Sequence, residues 1–250
     1  MRPEPLRLLG RELLLDPVGA MVWPERAMLV VADLHLGKAE ALARRGHFAP
    51  PYELAATLAR LEALVARHRP RLVVSLGDGF HDCRAARGLE GEGFDRLAAL
   101  VRRQDWLWIT GNHDPAVPLA LGGAVLDRLV LDGLTFVHQP SGAAGEIAGH
   151  LHPVARIATR AGRVLRRRCF ASDGVRLLLP AAGALTGGLN VLDPAIAGLF
   201  PDGFTAFLSG ADRLFPVPAS RLLPELDPRR HRLPLERSSA PGEPYQDPQR

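Results

Sequence analysis

Lysine is almost missing from this chain: among 31 basic residues only Lys38 is a lysine, and the rest are arginine. That skew reads as biased codon usage, so the net charge of +4 and the pI of about 9.8 permit a nucleic-acid partner without arguing for one. Cysteine is equally scarce. Cys83 and Cys169 stand apart with no metal-type spacing, which argues against a disulfide framework and a thiolate zinc site. No apolar run approaches the roughly 20 residues that span a bilayer. The N-terminus also lacks a basic-then-apolar signal pattern, so a cytoplasmic protein with no membrane partner is expected. Fixed-period repeats and coiled-coil heptads are missing too.

What remains is a chain of 250 residues, 47% hydrophobic, able to bury a full core. One domain is expected over residues 1–215. Residues 216–250 are rich in Pro, Arg, Ser and Glu and are expected to form a loosely ordered tail without chemistry. Strand-like and helix-like stretches alternate through the first two thirds, an α/β rhythm. Residues 27–33 read as a buried strand and 52–68 as a helix with Leu54, Leu58, Leu61, Leu64 and Val65 at helical spacing. Residues 71–76 read as a strand, 94–103 as a helix and 106–110 as a strand again. Short strands at 135–138, 146–150, 164–170, 175–179 and 204–209, parted by Gly and Pro turns, imply a second sheet. A hairpin around Gly10 precedes the first unit.

Five places carry polar groups straight after an apolar strand: Asp33-Leu34-His35, Gly77-Asp78, Gly111-Asn112-His113-Asp114, His138, and Gly149-His150-Leu151-His152. Carboxyl ends of neighbouring strands in α/β folds face one crevice, so groups appended there converge. Each place taken alone has a plainer reading. Asp33 can cap a helix, Gly77-Asp78 can be a turn, and His138 can be an ordinary core histidine. The segment 111–114 is harder to dismiss, because amide, imidazole and carboxylate follow one another without a gap. His150 and His152 would aim at one locus if the backbone were extended there. Together the set offers oxygen and nitrogen donors and no thiolate, which suits manganese, iron, zinc or cobalt better than calcium. Two divalent ions about 3.5–4 Å apart, bridged by one carboxylate, are a known device for displacement at phosphorus.

In this order the motifs resemble those of the calcineurin-like metallophosphoesterases, over roughly residues 28–153. The resemblance implies a four-layer α/β/β/α sandwich with a dinuclear site at its edge. It implies that Asp33, His35, Asp78 and His152 hold one metal, and that Asp78, Asn112, His138 and His150 hold the other, with manganese the leading metal and magnesium a further candidate. His113 would be the general acid or transition-state stabiliser, supported by Asp114. Many members carry Asp or Asn three residues after the bridging carboxylate. Here His81 stands in that place, which leaves His81 and Asp82 outside the metal shell and His81 a candidate substrate contact.

A narrower likeness rests on Leu34-His35-Leu36-Gly37-Lys38, on residues 77–82 and 149–153, and on the later run 179–190. Together these resemble the bacterial DNA-ligase-associated metallophosphoesterases, a branch described as DNA-damage-response endonucleases. It implies a DNA phosphodiester substrate, with an ATP-dependent DNA ligase and helicase-type repair proteins as partners. Arg44 and Arg45, and the cluster Arg163, Arg166, Arg167 and Arg168, are candidates for a rim that contacts the DNA backbone. Thr186-Gly187-Gly188 could approach a phosphate or simply close a turn. A phosphodiesterase or phosphatase acting on a nucleotide, and a non-catalytic metal-binding partner in a repair complex, are the competing functions.

Overall fold

The computed structural model describes residues 1–49, 52–82, 84–85, 90–113 and 117–225. Two sheets face each other. The first has seven strands in the order of the chain: β1 (Glu4–Leu8), β2 (Arg11–Asp16), β3 (Ala20–Trp23), β4 (Met28–Ala32), β5 (Leu72–Leu76), β6 (Asp105–Ile109) and β7 (Ala124–Leu126). The strands β1 to β4 pair antiparallel and β4 to β7 parallel. The parallel half is threaded by α1 (Lys38–Arg44), α2 (Glu53–His68) and α3 (Gly91–Arg103).

Strand period explains the layering. In β4, Leu29 and Val31 point one way to meet Leu58, Leu61, Leu97 and Val101 of the helices. Met28, Val30 and Ala32 point the other way, toward the second sheet. Both faces are covered, so β4 reads as a continuous apolar run.

The second sheet has nine strands. They are β8 (Leu129–Leu131), β9 (Leu134–Val137), β10 (Glu146–Ala148), β11 (Pro153–Ala158), β12 (Val164–Ser172), β13 (Leu177–Leu178), β14 (Leu189–Asn190), β15 (Thr205–Ser209) and β16 (Leu214–Pro218). Phe136, Ile147, Phe170 and Leu177 fill the space between the sheets against Trp23, Val74 and Ile109. The outer face is covered by a thin fourth layer: the short α4 (Pro194–Ala197), capped by the Asp193 carboxylate on the Ala195 N–H at 2.9 Å, with Ile196 and Phe200 beneath it. The α/β/β/α sandwich is therefore present, with its last helical layer reduced to one turn.

Residues 216–225, expected to belong to a loosely ordered tail, are packed. Pro216 and Pro218 lie in β16, which among the described residues pairs only with β15, so their missing N–H groups cost the edge strand little. Val217 and Leu222 are buried, and the Leu223 N–H reaches the Arg156 carbonyl at 2.8 Å. Proline content hid a packed strand. Residues 226–250 lie outside the described residues, as does Cys83; Cys169 is a buried free thiol.

The N-terminal hairpin is tied to the helical layer by one buried carboxylate. Asp16, fully buried at the end of β2, accepts from Arg67 and His68 of α2, both at 2.7 Å, and from the Val18 N–H at 2.9 Å. Burial alone would raise its pKa, but the hydrogen bonds from His68, Val18 and Arg67 outweigh it and hold the carboxyl below its usual range. A depressed carboxylate stabilises the fold fully above its unfolded pKa, near 4, and the contribution disappears as pH falls through the lower folded value. Asp16→Ala should cost about 3 kcal/mol at neutral pH, because it strands two basic partners. The deficit should shrink below about pH 3, as urea melts across pH would show.

Candidate metal centre

Strand register delivers the site. Ala32 lies opposite Leu76 and Leu76 opposite Ile109, so the residues that follow β4, β5 and β6 emerge side by side at one edge. In the second sheet Val137 lies opposite Ala148 and Ala148 opposite Leu178, which brings out His138 and Gly149-His150 in the same manner. Two glycines let the edges close. A Cβ on Gly77 would sit 2.4 Å from the His138 ring, and one on Gly149 would sit 2.7 Å from an Asp33 carboxylate oxygen.

Left-handed backbone concentrates here. Asp33, His35, Asp78, His150 and His152 all have positive φ, between 45° and 71°. Such conformations cost L-residues energy and persist where surrounding contacts over-determine them. The bends also correct an expectation: β10 stops at Ala148, and His150 and His152 do not share an extended strand. They split. His152 joins Asp33 and His35, whereas His150 joins Asp78 and His138, each trio with ligand atoms within 4.8 Å of one another.

The donors converge as cation ligands do. His35 Nε2 lies 3.2 Å from His152 Nε2, and His138 Nε2 lies 3.1 Å from His150 Nδ1 and 2.9 Å from Asn112 Oδ1. Asp78 faces both trios, Oδ2 at 3.7 Å from His35 Nε2 and Oδ1 at 3.5 Å from His138 Nε2. Burial pushes the His35 pKa down to about 2, helped by the charges of His152, Lys38, His113 and His81, so its ring is neutral with a lone pair to offer. Burial and His138 lower His150 as well. Asp33, Asp78, His35 and His138 are buried, whereas Asn112 and His113 are exposed at the mouth.

Supporting hydrogen bonds fix these rings. The Leu76 carbonyl, 2.9 Å from His138 Nδ1, can only accept, so that nitrogen carries the proton and Nε2 is left to bind. The His81 carbonyl does the same to His113 Nδ1 at 2.9 Å, leaving His113 Nε2 to exchange protons. Main-chain N–H groups hold the carboxylates: His150 on Asp33 at 2.9 Å and His113 on Asp78 at 3.0 Å. Asp114 lies outside the described residues.

The remaining candidates fall differently. His81 is buried beside His113, their rings stacked 5.4 Å apart. Arg44 is engaged by Asp82 at 3.3 Å, and Arg166 by the Gly188 carbonyl at 2.7 Å and Glu225 at 3.6 Å. Arg168 turns inward, with burial pushing its pKa down to about 10, and donates to the Ala181 and Gly183 carbonyls at 3.0 and 2.8 Å. Of the arginines expected to form a rim, Arg168 is thus spent on the protein itself, whereas Arg44 and Arg166 are each tied to a neighbouring group but keep exposed surface.

Sequence reasoning missed what the loop after β13 does. Its Ala182 and Gly183 N–H groups bond the Ala32 and Asp33 carbonyls, and Arg60 and Arg168 hold its own carbonyls. A Cβ on Gly183 would come within 2.3 Å of the Leu34 carbonyl, and one on Gly188 within 2.6 Å of the His152 carbonyl. These glycines are needed for close approach to the ligand-bearing segments. The dense Gly and Ala content of 181–188 was the available signal. Gly183→Ala should push Asp33 and His35 aside and weaken metal affinity about 10- to 100-fold, measurable by calorimetry with the metal-free protein.

Residues 27–164 match the family model described as calcineurin-like phosphoesterase. The chain belongs to this family. The crystal structure of the Pseudomonas putida nuclease MPE is similar at 30% identity, covering 86% of this chain and 100% of that one, with a TM-score of 0.67. The E. coli phosphoesterase Yfce matches at 15% identity over 76% of this chain and 97% of that one, with a TM-score of 0.37. No curated protein matches the chain. Family and site together make the protein a metal-dependent phosphoesterase with two candidate metal sites. No helix among the described residues is long and apolar enough to cross a membrane.

Proposed function

We propose that the protein is a DNA phosphodiesterase, an endonuclease of the ligase-associated repair type that uses two manganese ions. The observation that carries it is the pair of donor trios, one containing Asp78 and the other facing its second oxygen, in a chain similar over 86% of its length to a nuclease. Divalent ions bound there would polarise the phosphate oxygens and lower the pKa of water at the site.

The residues of the chain do the rest. Asp78 presents one oxygen to each trio and so fixes their spacing. Asn112 supplies a neutral oxygen, which keeps the negative charge of the site low enough for a phosphodiester to approach. His113, with Nδ1 pinned by the His81 carbonyl, holds a proton at exposed Nε2 for the leaving oxygen. A DNA ligase and helicase-type proteins belong to the same proposal as partners, and the cell interior as its location.

The test is hydrolysis of a DNA oligonucleotide and of bis-p-nitrophenyl phosphate by manganese-loaded protein at rising salt. Cleavage of DNA that weakens steeply with salt while ester hydrolysis does not supports the nucleic-acid substrate. Turnover of the small ester alone would favour the nucleotide phosphodiesterase, and none with any divalent ion the non-catalytic partner.

A further inference from the structure

The first two motif segments run side by side, and their contact continues past the metal donors. The His35 N–H bonds the Asp78 carbonyl at 2.8 Å, the Leu36 N–H the Gly79 carbonyl at 2.9 Å, and the His81 N–H the Leu36 carbonyl at 3.0 Å. Leu36 and Phe80 form a parallel bridge. The next residues along the two segments are Gly37-Lys38 and His81-Asp82. Gly37, at φ +78°, packs so closely on Ala85 that its Cβ would lie 2.8 Å from the alanine methyl, and the turn it makes starts α1 at Lys38.

Neither donor trio needs His81 or Lys38. The His81 side chain is only 9% exposed, yet its Nδ1 has no hydrogen-bond partner among the described residues. Its ring stacks on His113 and meets His35 edge-on at 5.7 Å. Lys38 is half-buried, and its ammonium group makes no hydrogen bond or ion pair among the described residues, although the Glu53 carboxylate acts on its charge and accepts from its main-chain N–H. The neighbouring carboxylates have other partners as well: Glu53 accepts from the Ala39 N–H and the Thr57 hydroxyl, and Asp82 from Arg44 and the Ala85 N–H. Burial first, then the charges of Lys38 and His113, and last Arg45, disfavour a proton on the His81 ring, with Asp82 alone opposing them. In a chain that uses arginine at every other basic position, the one compact ammonium group stands here.

Imidazoles within ligand reach of each other could also hold a cation, and His35, His81 and His113 lie within 4.8 Å. The adjacent Lys38 and Arg45 charges disfavour that occupant and favour an oxyanion.

We propose that Lys38 and His81 form a second phosphate subsite on the α1 side of the metal centre, taking a phosphate next to the one being hydrolysed. The proposal rests on the polynucleotide reading above, and it makes the site selective for substrates with more than one phosphate in the chain.

The test compares Lys38→Met, Lys38→Arg and His81→Gln with wild type on a DNA oligonucleotide and on bis-p-nitrophenyl phosphate, which has a single phosphate. Lys38→Met should raise KM on the oligonucleotide about tenfold more than on the ester. It should also reduce the salt slope of oligonucleotide binding by about one. His81→Gln should show the same preference, and Lys38→Arg, which keeps the charge, should recover most of the loss even if Lys38→Met folds poorly. Equal losses on both substrates, or a third manganese ion per chain that His81→Gln removes, would overturn the subsite. Wild type that hydrolyses the ester but not the oligonucleotide would instead remove the nucleic-acid reading, and the subsite with it.

Discussion

Asp78→Asn is expected to lower manganese-dependent hydrolysis of bis-p-nitrophenyl phosphate by at least about 10³-fold. The reason is local. Asp78 is 2% exposed, and its two oxygens face His35 on one side and His138 on the other. Asparagine has a single oxygen. If that oxygen stays on the His113 N–H, now at 3.0 Å from Oδ1, the amide nitrogen points at His35 Nε2, where a donor blocks a cation. Loss of the charge should leave folding intact, because among the described residues the acid is not paired with a lysine or arginine. Calorimetry should show fewer than two ions bound per chain, and a thermal melt should show a folded protein. Full activity in this variant would mean that the two trios work without a shared carboxylate.

His113→Ala should reduce turnover about 10²- to 10⁴-fold while both ions still bind. The side chain belongs to neither Asp33-His35-His152 nor Asp78-His138-His150, and its exposed Nε2 is free because Nδ1 is held by the His81 carbonyl. The size of the loss should depend on the leaving group. A p-nitrophenolate departs readily without a proton, whereas a sugar alkoxide does not, so the variant should suffer more on DNA than on the aryl ester. Steady-state rates on both substrates decide the matter. Equal losses would move the role of His113 from proton donation to stabilising charge on the phosphoryl oxygens.

Much of this was legible before any coordinates, for a physical reason. The parallel strands β4, β5 and β6 are apolar runs buried on both faces, and the polar residues that follow them stand out in the sequence. Strand ends in register then place Asp33, Asp78 and Asn112 together without any need to know the loops. The helices over 53–68 and 91–103 carried their own period. What could not be read was backbone conformation. Positive φ at His150 and His152 sends two histidines of one motif to different trios; the letters Gly-His-Leu-His do not report that bend, and only the family resemblance implied the division. Short strands such as β3 and β14 were missed because two to four residues hold too little pattern to show a period. The inward turn of Arg168 depends on a loop far along the chain, whose carbonyls it meets only once both sheets are formed. Arginine-rich strands look alike in sequence whether they face solvent or brace a loop.

The most direct test is a manganese titration of metal-free wild-type protein, following heat of binding and hydrolysis of bis-p-nitrophenyl phosphate together. Two donor trios, with Asp78 in one and facing the other, predict two ions per chain, no turnover without metal, and full turnover only when the second ion is in place. Hydrolysis by the metal-free protein, or full activity at one ion per chain, would contradict the dinuclear site.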